Sequence, residues 1–378
     1  MAWIKGGKMK VLYVNSLNVG VSYWRLENYA SEMVRLKVPV FVEYLFDPRL
    51  GYAWDKLCYG TGEISENIRT KLDRAFNHFD VIIFQKVQNK EGVYLIQSLK
   101  EKYPSVAVIA EIDDSLGDIT PSNFREMKHE GTWAAEHCHI SDGIICSTQH
   151  LSDSVEALND NRFVAPNCIN IETWSPEIHE DKDPSAPFRF VYVGGGGHDE
   201  DLEIIREPML RFLSENSNVE FVVRYGGYEL DWMRGNPQID FKSVNWCLDE
   251  YPQRLADLRA DVALAPLRDS NFNRSKSALK WIEWGSIGVP LLASDVGPYK
   301  GLPYSVLCSN SDDAWYEGIN LSFNKPRNSA QLKESVFERF NLHENTKALI
   351  EWLTVLCNNK KISETDSHNE LKSPFIFL

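Results

Sequence analysis

The chain has no C-x-x-C pair, no long uninterrupted apolar run and no surplus of basic side chains, and each absence excludes a class of protein. Its seven cysteines (Cys58, Cys138, Cys146, Cys168, Cys247, Cys308 and Cys357) are odd in number and scattered. That pattern fits buried thiols in a reducing compartment better than a disulfide framework. A membrane-spanning helix needs about 18 consecutive apolar residues, and none occurs. The opening MAWIKGGKMK also lacks an apolar stretch of signal-peptide length, so a soluble, cytoplasmic protein is expected. The formal charge of −14, from 40 Lys and Arg against 54 Asp and Glu, argues against broad affinity for nucleic acid and leaves room only for a local basic cleft. There is no internal repeat and no low-complexity block.

What is present is length and alternation. At 378 residues with 43% hydrophobic content, the chain is too long for one core of ordinary size, and two domains are expected. MKVLYVN (9–15), DVIIFQ (80–85), VAVIAEI (106–112) and DGIICST (142–148) read as buried strands separated by helical or polar stretches. The acidic, Pro-rich run from 171 to 187 then breaks the pattern. It restarts with FRFVYVGGGG (188–197), VEFVVRYGG (219–227), DVALAPL (261–267) and VPLLAS (289–294). The fold class expected is α/β: an N-terminal Rossmann-like domain over 9–170, a linker at 171–187, and a second such domain over 188–334. A helical segment at 335–358 and a loose polar tail at 359–378 follow. Parallel sheets with helices on both faces, fronting a central cleft, are the expected architecture.

One stretch raises a question of charge. In LRDSNFNRSKSALKWIEWGSIGVPLLAS (267–294), Asn273 reads as the cap of a helix, which places Arg274 and Lys276 beside the positive end of its dipole. The backbone N–H groups of Ser275, Lys276 and Ser277 would be free there, and Lys276, Lys280 and Glu283 would fall on one face, with Lys276 and Glu283 about 10 Å apart along the axis. Cations added to a helix start make an anion site, and phosphate is its common tenant. The early loop poses the same puzzle. If Ser22 caps the first helix, Arg25 stands in its first turn, after Gly20, which lets the protein backbone come close to a ligand. A structural alternative pairs Arg25 with Glu27, Glu32 or another local acid.

The tetrad Gly194 to Gly197 follows an apolar strand, but a dinucleotide-binding G-x-G-x-x-G would need glycine where Asp199 stands. Gly195, Gly196, Gly197 and His198 read instead as a loop lying against a nucleoside or sugar, or as a tight turn. Asp113 and Asp114 end a strand at its carboxyl edge, where ligands collect in parallel sheets. His137, Cys138 and His139 resemble a metal cluster only in sequence, since adjacent residues point apart on a helix, and no metal is expected.

FN-x-x-KS-x-x-K-x-x-E followed by G-x-P resembles the nucleotide-sugar region of GT-B glycosyltransferases, in particular the retaining family four and its relatives in phage and bacterial polysaccharide loci. Gly20–Arg25, Glu111–Asp114, Ile144–Leu151, Ala165–Asn167 and the loop with His198 and Asp201 resemble the same group, and together they span about residues 9 to 345. The resemblance implies a nucleoside diphosphate sugar, UDP-linked by family frequency, as donor, with no separate cofactor. It implies phosphate contacts from Lys276 and Arg274 and a ribose contact from Glu283, with Ser275, Ser277 and Lys280 beside them. It departs at Ser275, where the family usually has a further Glu for the donor sugar; Asp269 or Asn273 are the substitutes. Arg25 and Asp114 are placed on the catalytic side, reaching the donor or acceptor as the domains close. A glycan or lipid-linked glycan is the implied acceptor. Glycosylation of a modified base in phage DNA, an inactive nucleotide- or glycan-binding scaffold, and a nucleotide-sugar epimerase remain the alternatives.

Overall fold

Runs such as VIIFQ and AVIAEI carry apolar side chains on both faces of a strand, and such strands are stable only when covered from both sides. The computed structural model describes residues 3–4, 7–15, 22–44, 64, 66–116, 130–171, 174, 176–177, 183, 185–246, 249–325 and 328–370. The chain splits into two compact units, unit 1 being Met1–Asn167 with Leu342–Leu378 and unit 2 being Cys168–Asn341. Gly20, Cys58 and Cys247 lie outside the described residues. A short antiparallel ribbon, β1 (Trp3–Ile4) with β2 (Gly7–Lys8), comes first.

Unit 1 holds β3 (Val11–Asn15), β4 (Val40–Tyr44), β5 (Val81–Gln85), β6 (Ala107–Ile112), β7 (Gly143–Cys146) and β8 (Arg162–Val164). They form a six-stranded parallel sheet in the order β4-β3-β5-β6-β7-β8. Its helices include α1 (Asn28–Arg35), α2 (Glu66–Phe76), α3 (Lys90–Lys102), α4 (Glu130–Ile140) and α5 (Gln149–Ser154). β5 and β6 are buried along their whole length, and Ile82, Phe84, Ile96 and Val108 share one core with Leu72 and Phe76 of α2.

Unit 2 repeats the plan with β9 (Phe188–Gly194), β10 (Val219–Tyr225), β11 (Ile239–Ser243), β12 (Val262–Ala265), β13 (Leu291–Ser294) and β14 (Ser305–Cys308). The order is β11-β10-β9-β12-β13-β14, again all parallel. Its helices include α6 (Arg206–Glu215), α7 (Tyr251–Asp257), α8 (Asn271–Ser275), α9 (Leu279–Ser286), α10 (Asp312–Asn324) and α11 (Ser329–Arg339). Both sheets are doubly wound. Strand order reverses between β3 and β5 in unit 1 and between β9 and β12 in unit 2, and at such switch points adjacent loops part to leave a crevice at the carboxyl edge.

The C-terminal segment differs from expectation in two ways. The helical periodicity that runs from 335 to 357 is interrupted at Phe340, whose carbonyl accepts a bond from Ile169 N–H at 3.2 Å and whose ring meets Trp281. The chain then enters α12 (Leu342–Glu370), which extends well into the polar stretch expected to be loose. Within unit 1, Trp352 of α12 stacks on Phe163 at 5.4 Å, His343 Nδ1 lies 2.6 Å from Glu32, and Lys360 and Lys361 pair with Asp142 and Asp80. With the buried Leu349, Leu353, Leu356 and Cys357, these contacts hold the first part of α12 against the rest of unit 1. Among the described residues, no helix is long and apolar enough to cross a membrane.

The packing of unit 2 makes one position sharply size-limited. A Cβ on Gly318 of α10 would overlap Cys308 Sγ of β14 and lie 2.9 Å from Leu292 Cδ1 of β13. Overpacking of this kind costs about 1–3 kcal/mol. Gly318→Ala should therefore lower the thermal midpoint of unit 2 by a few degrees, measured by circular dichroism or differential scanning fluorimetry.

Candidate functional site

At the switch point of unit 2, two loops leave adjacent strands and are tied together by one buried carboxylate. The first is Gly194 to Gly197 after β9, in which Gly197 has φ of 87°, a left-handed conformation that glycine adopts without steric cost. The loop packs against the turn after β10, where a Cβ on Gly226 would come within 2.8 Å of Gly196 N. His198 N–H donates to Tyr225 Oη at 2.8 Å, and His198 Nδ1 lies 2.7 Å from Asp201 Oδ2. The other oxygen of Asp201 accepts from Arg268 N–H, at 2.8 Å, in the second loop, which follows β12. Arg268 also meets Glu200 through its guanidinium.

The second loop corrects the expected helix. Asn273 is not the cap: Ser270 is, its hydroxyl accepting from Asn273 N–H at 3.1 Å, while Asn273 Nδ2 donates to Arg268 O at 2.9 Å. The first helix, α8, has only five residues and ends at Lys276, whose φ of −63° and ψ of 152° are extended. A new helix, α9, begins at Leu279 and turns Trp281, Ile282 and Trp284 into the core. Lys276 therefore does not share a helix with Lys280 and Glu283. Arg274 sits in the last turn of α8, where the dipole favours a cation, so the charge conflict inferred from sequence is absent. Its Nε and Nη2 pair with Asp269 at 2.6 and 2.8 Å, which lowers the Asp269 carboxyl below its ordinary range. Ser275 Oγ turns back to Asn271 O at 3.1 Å, and Lys276 Nζ stands 5.0 Å from the Phe272 ring.

α9 carries the buried charge of the site. Lys280 Nζ donates to Val193 O at the end of β9 and lies 4.7 Å from the Tyr192 ring. Glu283 is 6% exposed and accepts from Tyr251 Oη at 3.1 Å. Burial raises the Glu283 carboxyl to about 7 against the pull of Lys280, and burial lowers Lys280 to about 8. The result is a carboxyl group about half-protonated near pH 7, one helical turn from an ammonium that stays mostly charged there but has lost much of its usual proton affinity. Tyr251, in turn, meets Trp174 and Trp246 edge-on at 6.0 and 5.9 Å. No periodicity or motif in the sequence singled out Tyr251 or Tyr192.

In unit 1 the expected helix start is also revised. Ser22 is itself helical and makes no side-chain cap, and Tyr23–Glu27 form a π-helical turn. Arg25 is 2% exposed: Nε pairs with Glu111 Oε1 at 2.7 Å, and Nη1 donates to Ala165 O at 2.5 Å and to Asn167 Oδ1 at 3.0 Å. It is a strut joining the first helical turn to β6 and to the stretch after β8, and the acid it uses is neither Glu27 nor Glu32. Asp114 pairs with Lys86, which bridges it and Asp113. Of the His137–His139 run, His137 and Cys138 are buried and His139 Nδ1 lies 3.2 Å from Leu158 O.

No protein-family model and no curated protein matches the chain. Solved structures do. A glycosyltransferase from Rickettsia africae aligns with a TM-score of 0.66 at 10% identity, over 93% of this chain and 99% of its own. The catalytic domain of starch synthase IV from Arabidopsis thaliana, bound to ADP and acarbose, aligns at 0.62 and 9% identity, over 93% and 100%. A lipopolysaccharide outer core galactosyltransferase aligns at 0.55 and 15%, over 94% and 100%. The two doubly wound units are thus those of the GT-B fold.

The raised carboxyl of Glu283 has a consequence for stability. The folded chain holds this proton longer than the unfolded one, so the contribution of Glu283 falls as pH rises from about 4.5 to about 7. Glu283→Gln removes that loss. Relative to wild type, the variant should gain up to about 3 kcal/mol between pH 5 and pH 7.5, the upper limit set by about 1.4 kcal/mol for each tenfold change in proton affinity; denaturant unfolding at the two pH values checks it.

Proposed function

We propose that this chain is a glycosyltransferase that moves a sugar from a nucleoside diphosphate sugar, UDP-linked in the first instance, to a glycan acceptor. The supporting observation is the gathering of the Gly194–Gly197 loop, Lys276, Lys280 and Glu283 at the switch point of one unit of a GT-B fold. Gly195, Gly196, Gly197 and His198 take the nucleoside or donor sugar. Glu283 accepts hydrogen bonds from ribose hydroxyls, a role that favours its ionised form, so that ligand binding and loss of its proton are coupled. Lys276, with Ser277 and the N–H groups that open α9, takes the phosphates.

Arg274 belongs to the same proposal. Its present partner, Asp269, is solvated, and exposed pairs contribute little to stability, so exchanging that carboxylate for a phosphate costs little. Departure of the diphosphate leaves positive character on the sugar and negative charge on the leaving group. Basic side chains and N–H groups already in place oppose that growing charge more strongly than the ground-state charge, which is how they accelerate the reaction. Retention of configuration, with the leaving phosphate rather than a metal-bound group assisting the acceptor, rests on the sequence resemblance. Ser275, in place of the second family glutamate, leaves the donor sugar to Asn273 or Asp269. Arg25, held in its buried pair, serves as a positioning residue.

A thermal-shift series with UDP, GDP, dTDP, ADP and NAD on wild type, Lys276→Ala and Glu283→Ala tests the reading. A ligand at 100 times its dissociation constant adds about 2.7 kcal/mol, a midpoint rise of several degrees. One nucleoside diphosphate should stabilise the wild type and lose most of that shift in both variants. Stabilisation by NAD alone, or full shifts retained in both variants, would reject it.

A further inference from the structure

α2 covers only part of the sheet face beneath it, and a groove of 390 Å³ is left along its outer flank. Leu12 and Val14, two residues apart on β3, point to the face that α2 covers, where they join Leu72 in the core. β4 is the edge strand beyond them, and its Phe41, opposite Leu12 in register, stays 53% exposed. The Phe41 ring meets Phe79 edge-on at 5.3 Å, and Phe79 meets His78 at 5.1 Å. A large aromatic side chain left half in water favours whatever covers it. Ala75 lines the groove beside Leu72 and, being small, leaves it unfilled.

The opposite wall is charged. Lys71, Arg74 and His78 follow one another at helical spacing along the exposed flank of α2 and the turn after it, and all three line the groove. From Lys71 to His78 this wall is roughly 10 Å long at 1.5 Å per residue. Among the described residues that line the groove none is acidic, although the chain carries 54 Asp and Glu against 40 Lys and Arg. Asp73, in the middle of the stretch, is turned away to Lys102 Nζ at 2.6 Å and Tyr103 Oη at 3.2 Å. The groove shares no residue with the candidate site in unit 2 or with the contacts of Arg25, Lys86 and Asp114.

We propose that this groove binds an amphipathic anion, a medium-chain acyl carboxylate, with its hydrocarbon against Leu12, Phe41 and Phe79 and its carboxylate at Lys71 and Arg74. The volume falls within the range of small-molecule sites, about 300–1,000 Å³. A neutral hydrocarbon would leave the cationic wall unused, and a small hydrated anion would leave the phenyl and aliphatic floor in water. That floor is recessed, with Leu12, Val14 and Leu72 each at most 5% exposed, so it is reached by a single inserted chain rather than by a membrane surface. The site does not depend on the glycosyltransferase reading.

Isothermal titration calorimetry on the full chain tests it, with sodium decanoate and, as the probe of opposite charge, decyltrimethylammonium, both below their micellar concentrations. Decanoate should bind at one site, and decyltrimethylammonium about tenfold more weakly or not at all. Lys71→Glu combined with Arg74→Glu should weaken decanoate about tenfold or more, and higher salt should weaken it in the wild type, since exposed charges are screened. Ala75→Phe, which fills the groove, should abolish decanoate binding; circular dichroism checks that each variant is folded, and the charge-reversed residues are exposed, so that variant keeps the wild-type spectrum. Absence of saturable decanoate binding, equal affinity for the two probes, or undiminished affinity in the charge-reversed variant overturns the site. Co-sedimentation with phosphatidylglycerol vesicles in the absence of decanoate binding overturns it as well, in favour of a membrane-facing patch.

Discussion

A parallel sheet covered on both faces has nowhere to put polar chemistry except its edges, and that constraint organises both units of this protein. β5, β6, β7, β12 and β13 are buried at every residue. The polar groups that do occur along the unit 1 strands gather toward their ends: Gln85 closes β5, Glu111 is next to last in β6, and Asp113 and Asp114 follow it. In unit 2 the glycine loop and the Arg268–Lys276 segment leave β9 and β12, adjacent strands whose connections run to opposite sides. The crevice is a consequence of topology; the residues in it only specify what it holds.

Two sets of buried charged groups meet the cost of desolvation differently. Arg25 is committed: its partners come from β6 and from the stretch after β8, so the guanidinium holds three parts of unit 1 in register. Removing one member of such a pair would strand the other charge in a low-dielectric interior, which is the expensive event. Lys280 and Glu283 are less committed. Burial weakens the charged form of each, Glu283 more than Lys280 near pH 7, and each is satisfied by a neutral neighbour, Val193 O or Tyr251 Oη.

Reading the sequence located most of the buried strands but missed β4, β8, β11 and β14, which are short or only partly buried and so show little apolar continuity. The residues of the unit 2 candidate site were singled out because a specific motif carried them. Their arrangement was not. Helical spacing continues without interruption from Asn271 to Ser286, and nothing in it shows that the chain straightens at Lys276 so that Trp281 and Ile282 turn into the core. Lys86 could have been noticed as a charge directly after a buried strand. Tyr251 could not, because an aromatic side chain at a helix start reads equally well as core.

The sequence by itself determined the two α/β units, the acidic surface, the glycine loop and the set of side chains from Asp269 to Glu283, because hydrophobic period and local motif are properties of neighbouring residues. Only the tertiary structure decided which charges are sealed into the fold and which stay solvated. Arg25 and Arg274 looked alike as cations near helix starts, yet one is sealed against Glu111 from a distant strand and the other rests on a solvated Asp269. That difference comes from partners as far as 142 residues away along the chain, and local pattern carries no information at that range.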